Sequence, residues 1–291
     1  MLLRAIFLLG FSFAICNCLN QLSFSGGGAF GAVEIGIAKR IIEIDSNKKY
    51  NLYTGISAGA LNAGFLSYYT NITEGINVAE KIYSTLKNRN VYKLLPTTKV
   101  SILNTEPLFN TLSQIINKMP NGPVIHTLIG ATNLYSGNLD VYSFEENDNL
   151  NKVNLMMASS AIPGLFPPIK YNNNLYADGG ILSNELLQVE YTKSQYINIT
   201  FITPYEGYIY DDTPITSLKD VLKKTISIVS SNFNNPLSSI NQNCKRPIGE
   251  INKYFVKPEY LKGYNILDFE NGAKLIDIGY NHIEHMKYKL C

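Results

Sequence analysis

No run of five or more basic residues occurs anywhere in this chain of 291 residues, and 25 Lys plus Arg against 23 Asp plus Glu leave a formal charge of only +2. Nucleic acid is held by clustered positive charge, so it is excluded as a partner. Histidine occurs three times and cysteine four times. No Cys/His pair stands at zinc spacing, and the sequence calls for neither a metal nor a cofactor. The one superficially acidic stretch, "ENDN" at 146–149, lacks the D-x-[DN]-x-[DN]-G spacing of a calcium loop. Repeats, coiled coils and long linkers are missing too. So is any apolar run of about 20 residues, the length needed to cross a bilayer.

What is present begins with "MLLRAIFLLGFSFAICNC": one basic residue, Arg4, then an apolar stretch from Ala5 to Ile15 and small residues at Ala14, Cys16 and Cys18. This pattern is that of a cleaved signal peptide over residues 1–18, followed by one domain over 19–291. The expectation is a secreted protein or one in the secretory-pathway lumen; a retained signal anchor in the membrane is the alternative. Cleavage after Cys18 leaves Cys244 and Cys291, which either pair or stay as two thiols. Two glycosylation sequons begin at Asn71 and Asn198. The second lies in the strand-like "YINITFIT" and is expected to stay unmodified.

With 45% hydrophobic and 16% charged residues, the chain can bury one sizeable core. Strand-like runs ("QLSFS", "YNLYTGI", "VIHTLIGAT", "LDVYSF", "YINITFIT") alternate with helical ones near 29–44, 57–69, 73–86, 106–118, 151–159, 215–231 and 270–288. Such alternation predicts an α/β sandwich with a mainly parallel sheet. The polar stretch 230–243 reads as an excursion from it.

Three glycine-bearing loops interrupt the alternation. In "GISAG", Ser57 stands between Gly55 and Gly59 where a strand ends and a helix begins. That is the setting of a nucleophile elbow, in which glycines remove side chains that would collide across a sharp turn. An elbow serine is expected to be exposed at the sheet edge. In "SFSGGGAFG", Gly26, Gly27 and Gly28 free several backbone N–H groups to converge at a helix N-terminus, as a phosphate or an oxyanion requires. The G-x-G-x-x-G spacing of Gly26, Gly28 and Gly31 suits a dinucleotide, but the following strand lacks the acidic residue such a site needs. In "YADGGILSN", Asp178 precedes two glycines at a strand end. Together the loops supply a nucleophile, an oxyanion cradle and a carboxylate base, whose pKa burial would bring toward neutrality.

The ordered set "GGGAFG" (26–31), "GISAG" (55–59), "ATNLYSG" (131–137), "ASSAIPGLFPP" (158–168) and "ADGG" (177–180) resembles the patatin-like phospholipase family of lipid acyl hydrolases, over residues 21–204. The resemblance implies a three-layer α/β sandwich with a mainly parallel central sheet and a phospholipase A-type activity on carboxylic esters of phospholipids or acylglycerols. It implies a dyad in which Ser57 attacks and Asp178 accepts the proton, with the glycine loop as oxyanion hole, its Gly27 and Gly28 N–H groups donating. Several family members carry a basic residue where this chain has Phe30.

Two other readings stay open. The order Ser57, Asp178, then His282 or His285 also fits a Ser-His-Asp esterase, although both histidines fall on the expected terminal helix as a packing stripe, and His126 reads as a core residue. A non-catalytic lipid-binding or storage protein of the same fold is the second. The apolar "AIPGLFPPI" (161–169) is suited to lining an acyl groove. So small a net charge favours transient contact with lipid surfaces through apolar loops over electrostatic docking.

Overall fold

Strand formation at the centre follows from short β-branched and aromatic runs bounded by turns. The protein is described by a computed structural model over residues 18–94, 100–119, 121–187, 196–210, 212–232 and 248–290, without the side chains of 230–232. The signal-like residues 1–17, the polar stretch beyond Asn232, and Cys244 and Cys291 lie outside the described residues. Elements follow in the order β1 (Leu19–Phe24), α1 (Gly31–Ile44), β2 (Leu52–Ile56), α2 (Ala58–Leu66), α3 (Ile72–Thr85), α4 (Asn88–Val91), β3 (Lys93–Leu94), β4 (Leu103–Asn104), α5 (Glu106–Ile116), β5 (His126–Asn133), β6 (Leu139–Ser143), α6 (Asn149–Ser159), β7 (Ile169–Tyr171), β8 (Asn174–Asp178), β9 (Ile197–Tyr205), α7 (Leu218–Asn232), β10 (Gly249–Val256), α8 (Gly272–Asn281) and β11 (Ile283–Leu290).

Nine strands form one sheet in the order β11-β10-β9-β1-β2-β5-β8-β7, with β6 also on β5. The five strands from β10 to β5 run parallel; β6, β7, β8 and β11 are antiparallel to their neighbours. The register sets Leu22, Tyr53 and Thr127 side by side, so Leu22, Phe24, Tyr53, Ile129 and Ala131 share one face and join α1, α2, α3, α5, α6 and α8 in the main core. Each fully buried Ile or Phe there contributes about 1.5–3 kcal/mol.

The opposite face carries a smaller cluster of Ile197, Ile199, Phe201, Ile251 and Leu290, against which Leu19 and Leu187 pack. Beside it lie the polar, fully buried Gln21, Ser23 and Thr54. The strap Ser183–Leu187 crosses them, and its Leu186 carbonyl accepts from Gln21 Nε2 (2.8 Å), Thr54 Oγ1 (3.1 Å) and Ser23 Oγ (3.3 Å). One carbonyl thus satisfies three buried donors, which fastens the strap to the sheet. Glu185 fastens it again, accepting from Lys253 Nζ at 2.7 Å and Thr203 Oγ1 at 2.8 Å.

The α/β architecture with a parallel centre matches the sequence expectation; its C-terminal end does not. The expected helix over 270–288 stops at Asn281, and His282 leaves helical geometry with φ −122° and ψ 35°. Residues Ile283–Leu290 instead pair with the whole of β10, itself unforeseen. Ladder bonds to an otherwise open edge outweigh the helical spacing of the two histidines, and Glu284, Lys287 and Lys289 mark the new outer strand with charge. His126 is not a core residue either: it opens β5 at the sheet's end, half-exposed and paired with Glu145. Asn71 is exposed and caps α3, accepting from Thr73 N–H at 3.0 Å. Asn198 is committed in the sheet, donating to Asn20 Oδ1 at 3.0 Å. No helix among the described residues is long and apolar enough to cross a membrane.

Candidate active site

Between the last residue of β2 and the first of α2 the chain must reverse within one residue, Ser57, which adopts φ 53° and ψ −124°. Positive φ at a non-glycine residue is strained, and the surroundings explain why this one persists. A Cβ on Gly55 would stand 2.2 Å from the Gly59 carbonyl oxygen, and one on Gly59 would stand 2.3 Å from that of Phe24. Only glycine permits so close a crossing of β1, β2 and α2. The Ser57 N–H is held by Ser159 Oγ at 2.9 Å, and Ser159 Oγ donates to the Gly130 carbonyl at 2.6 Å.

The hydroxyl of Ser57 donates to Asp178 Oδ2 at 2.6 Å. Asp178 ends β8, where it is held by its own N–H to the Ala161 carbonyl (2.9 Å) and by Thr132 Oγ1 to its carbonyl (2.9 Å), while its Oδ1 accepts from Gly180 N–H at 2.8 Å. Burial pushes its pKa up from 3.8 to about 6, against the opposing hydrogen bonds from Ser57 and Gly180. Both side chains are nearly sealed from solvent: Ser57 is 5% exposed and Asp178 6%. The expected exposed serine is therefore corrected, because the glycine loop lies across it.

That loop follows β1. Gly26, Gly27 and Gly28 line a cavity of about 290 Å³ together with Ser57 and Asp178. Gly26 is spoken for, since its N–H donates to the Asn184 carbonyl at 3.1 Å, so the expected three-glycine cradle narrows to two. The N–H groups of Gly27 and Gly28 have no acceptor among the described residues, whereas Ala29 N–H donates to the Ile266 carbonyl at 2.8 Å. Gly28 holds φ +57°, and a Cβ on it would meet that same Ile266 carbonyl at 2.3 Å. Phe30 turns into the core and meets the Tyr205 ring edge-on at 5.6 Å, so no charge enters the loop from this position.

Further cavity wall is supplied by Ile162 and Pro163, within the stretch read as groove-lining, and by Leu222, Ile226 and Val229 of α7. Three further groups brace the site. Asn184, from "YADGGILSN", clamps Gly26. Ser159, from "ASSAIPG", holds the elbow. Glu34, wholly buried in α1, accepts from Ser25 N–H (2.9 Å) just before the glycines and from Asn62 Nδ2 (2.8 Å) on α2; Asn62 in turn accepts from Tyr83 OH at 2.8 Å. A lone acid amid the apolar "GAVEIGIA" was the sequence signal for it.

No histidine reaches Ser57. His285 lies on β11, four strand spacings or about 19 Å from β2, stacked on Tyr254 and donating from Nε2 to Asn252 Oδ1 at 2.9 Å. His282 stacks on Tyr260 at 3.9 Å. His126 pairs in register with Leu52, at the opposite end of β2 from the serine. Among the described residues no cluster of three or more His, Cys, Asp or Glu is placed to hold a metal ion.

The family model for patatin-like phospholipase matches residues 22–189, which span the glycine loop, Ser57 and Asp178. The chain belongs to the patatin-like phospholipase family. A probable lipid hydrolase of Invertebrate iridescent virus 6 is 27% identical over 186 residues, 57% of this chain and 61% of that protein, so the match spans less than two thirds of the relative's length. Among solved structures, VipD of Legionella pneumophila is similar over 92% of this chain and 68% of its own, at 14% identity and a TM-score of 0.42. The type III effector ExoU, of Pseudomonas aeruginosa, is similar over 93% of this chain and 55% of its own, at 13% identity and a TM-score of 0.36.

Proposed function

We propose that the protein is a lipid acyl hydrolase that cleaves carboxylic esters of phospholipids or acylglycerols through Ser57 and Asp178. The observation that carries this reading is the 2.6 Å hydrogen bond from Ser57 Oγ to Asp178 Oδ2 at a positive-φ elbow beneath a glycine loop. Asp178, ionised above about pH 6, takes the serine proton as Oγ attacks the ester carbonyl. Gly27 and Gly28 N–H groups stabilise the oxyanion, an effect worth about 10²- to 10³-fold in rate per donor. The alcohol leaves with the proton from Asp178, and water, activated by the same carboxylate, releases the fatty acid. A dyad suffices because the short carboxylate contact does the work of the histidine that the site lacks. Contact with the lipid surface is apolar, made by exposed side chains of α7 beside the cavity mouth.

The test is labelling by a fluorophosphonate probe together with incubation in a mixed lipid extract, for the wild type and Ser57→Ala. Labelling and loss of acyl chains from particular lipids, both abolished by the substitution, are expected. Lipid binding with an unreactive Ser57 would instead identify a non-catalytic lipid-binding protein.

A further inference from the structure

Two cavities meet at Ser57. Besides the outer one, a second of about 50 Å³ is lined by the same Gly28, Ser57 and Ile162, so Ser57 bounds both. The second shares Leu61, Tyr83, Leu86 and Leu108 with a third of about 60 Å³. That third cavity ends among Phe65, Leu112, Ile116 and Met156, deep between α2, α3 and α5. The second and third cavities thus lie side by side across shared walls, from the elbow toward the helical layer, and joined they would make one slot of two chambers.

Its walls carry few polar groups. Tyr83 OH is already committed to Asn62 Oδ1. Ser160 Oγ, in the chamber at Ser57, is buried and has no hydrogen-bond partner among the described residues. A buried hydroxyl left unpaired is costly, and a polar atom of a ligand at that spot would relieve it. Polarity at the mouth and hydrocarbon beyond it match one kind of occupant, a fatty acyl chain whose carboxyl end stays at the serine. A charged head group would have no partner there.

We propose that the acyl chain of the scissile ester threads methyl-first into this inner slot, and that Leu108 and Leu112 limit the chain length accepted. The proposal rests on Ser57 being the nucleophile. The outer cavity then takes the alcohol portion and admits water, since its α7 wall is partly exposed. In the step itself a bond forms from Ser57 Oγ to the acyl carbon, and the bond from that carbon to the alkoxy oxygen breaks. The serine proton passes through Asp178 to the departing alkoxide; water later adds in the reverse sense and frees the carboxylic acid.

The chain contains no tryptophan. Phe65→Trp therefore places a single reporter in the inner chamber, and quenching by fatty acids brominated at the methyl end reads occupancy without turnover. Saturable quenching by 12-bromododecanoic acid, little by 4-bromobutanoic acid, and loss of the effect on adding Leu112→Phe are expected. Absence of quenching, or equal quenching by both acids, overturns the slot. In a p-nitrophenyl ester series, Leu112→Phe is expected to lower the ratio of kcat/KM for the dodecanoate to that for the butyrate about tenfold or more, with an unchanged Tm certifying the fold. A uniform change across chain lengths, or none at dodecanoate, overturns the assignment. Quenching by the long acid in a protein that cleaves no ester would sustain the slot and refute the hydrolase reading, so the two failures are distinct.

Discussion

The backbone N–H of Ser57 is bound to the hydroxyl of Ser159, which hands its own proton to the Gly130 carbonyl, so one side chain at the end of α6 bridges the elbow to β5. Both partners are backbone groups of buried residues. Ser159→Ala leaves them unpaired, at about 1–3 kcal/mol each. The elbow would also lose the contact that holds its strained backbone, worth about 1–3 kcal/mol in itself. The expected outcome is a lower Tm together with a fall in kcat of about tenfold and little change in KM, because geometry at the proposed nucleophile is altered and substrate contacts are not. Wild-type kcat in a destabilised Ser159→Ala protein would show that the bridge serves the fold alone.

On the proposed mechanism Asp178 fixes the pH dependence. Burial raises its pKa to about 6, and only the ionised form can accept the serine proton, so kcat/KM is expected to climb through about pH 6 and level off above it. For stability the sign is reversed. A carboxyl whose folded pKa exceeds its unfolded value of 3.8 favours the folded state at low pH, and that contribution is lost as the pH rises through about 6. Asp178→Asn keeps the shape without the charge. It is expected to abolish turnover yet to exceed the wild type in stability above pH 7 by on the order of 2–3 kcal/mol, the gap closing toward pH 4. Denaturant titrations of both proteins at pH 4 and pH 8 check this; a gap that is flat with pH would contradict it.

Glu34 accepts on both oxygens, from Ser25 N–H on one and Asn62 Nδ2 on the other. Burial raises its pKa well above the usual carboxylate value, opposed by the hydrogen bonds from Asn62 and Ser25. Glu34→Gln replaces one acceptor by an amide donor, which cannot satisfy both contacts at once. Expected are a loss of about 1–3 kcal/mol in stability and, because Ser25 leads into the glycine loop, a drop in kcat of about tenfold with KM nearly unchanged. Equal kcat in the two proteins would limit Glu34 to bracing α1 against α2.

What could be read from the sequence was whatever local geometry imposes on it. Gly55 and Gly59 are required by contacts of 2.2 and 2.3 Å across a single turn, so the residue between them was legible as an elbow. The parallel centre followed from strand and helix periods in the same way. Residues that act across the fold left fainter traces: Asn184 and Ser159 sat inside recognised motifs without a distinct role, since their partners, Gly26 and Ser57, lie 158 and 102 residues away. Gly26 is the counterpart of this: its N–H is taken by the carbonyl of Asn184, a partner that no local pattern in the glycine loop marks. At the C-terminus the error was of another kind. His282 and His285 share a helical spacing, but the open edge of β10 decides the conformation there, and an edge is a property of the assembled sheet.

On α7, Leu218 and Val221 are 65% and 42% exposed, while Val229 of the same helix, 45% exposed, also walls the cavity; Leu182, just past the Asp178 turn, is 45% exposed. Leu218 and Val221 stand one helical turn before the cavity-lining Leu222 and Thr225, and Leu182 follows the cavity-lining Ile181, so an apolar rim is expected beside the mouth. Lys219, Lys223 and Lys224 stand on the same helix, and Asp220 pairs with Lys223 at 3.2 Å, so the local charge is partly cancelled. Transfer of one Leu or Val side chain into a lipid surface is worth about 1.5–3 kcal/mol, which exceeds the roughly 1 kcal/mol offered by each cation near an anionic membrane. Leu218→Asp combined with Val221→Asp is therefore expected to cut hydrolysis of phospholipid vesicles about tenfold or more while leaving a soluble butyrate ester within about twofold. Wild-type activity on vesicles should change little with salt or phosphatidylserine content, because apolar transfer is not screened. A steep dependence on both, with the double substitution harmless, would assign the contact to the lysines instead of the rim.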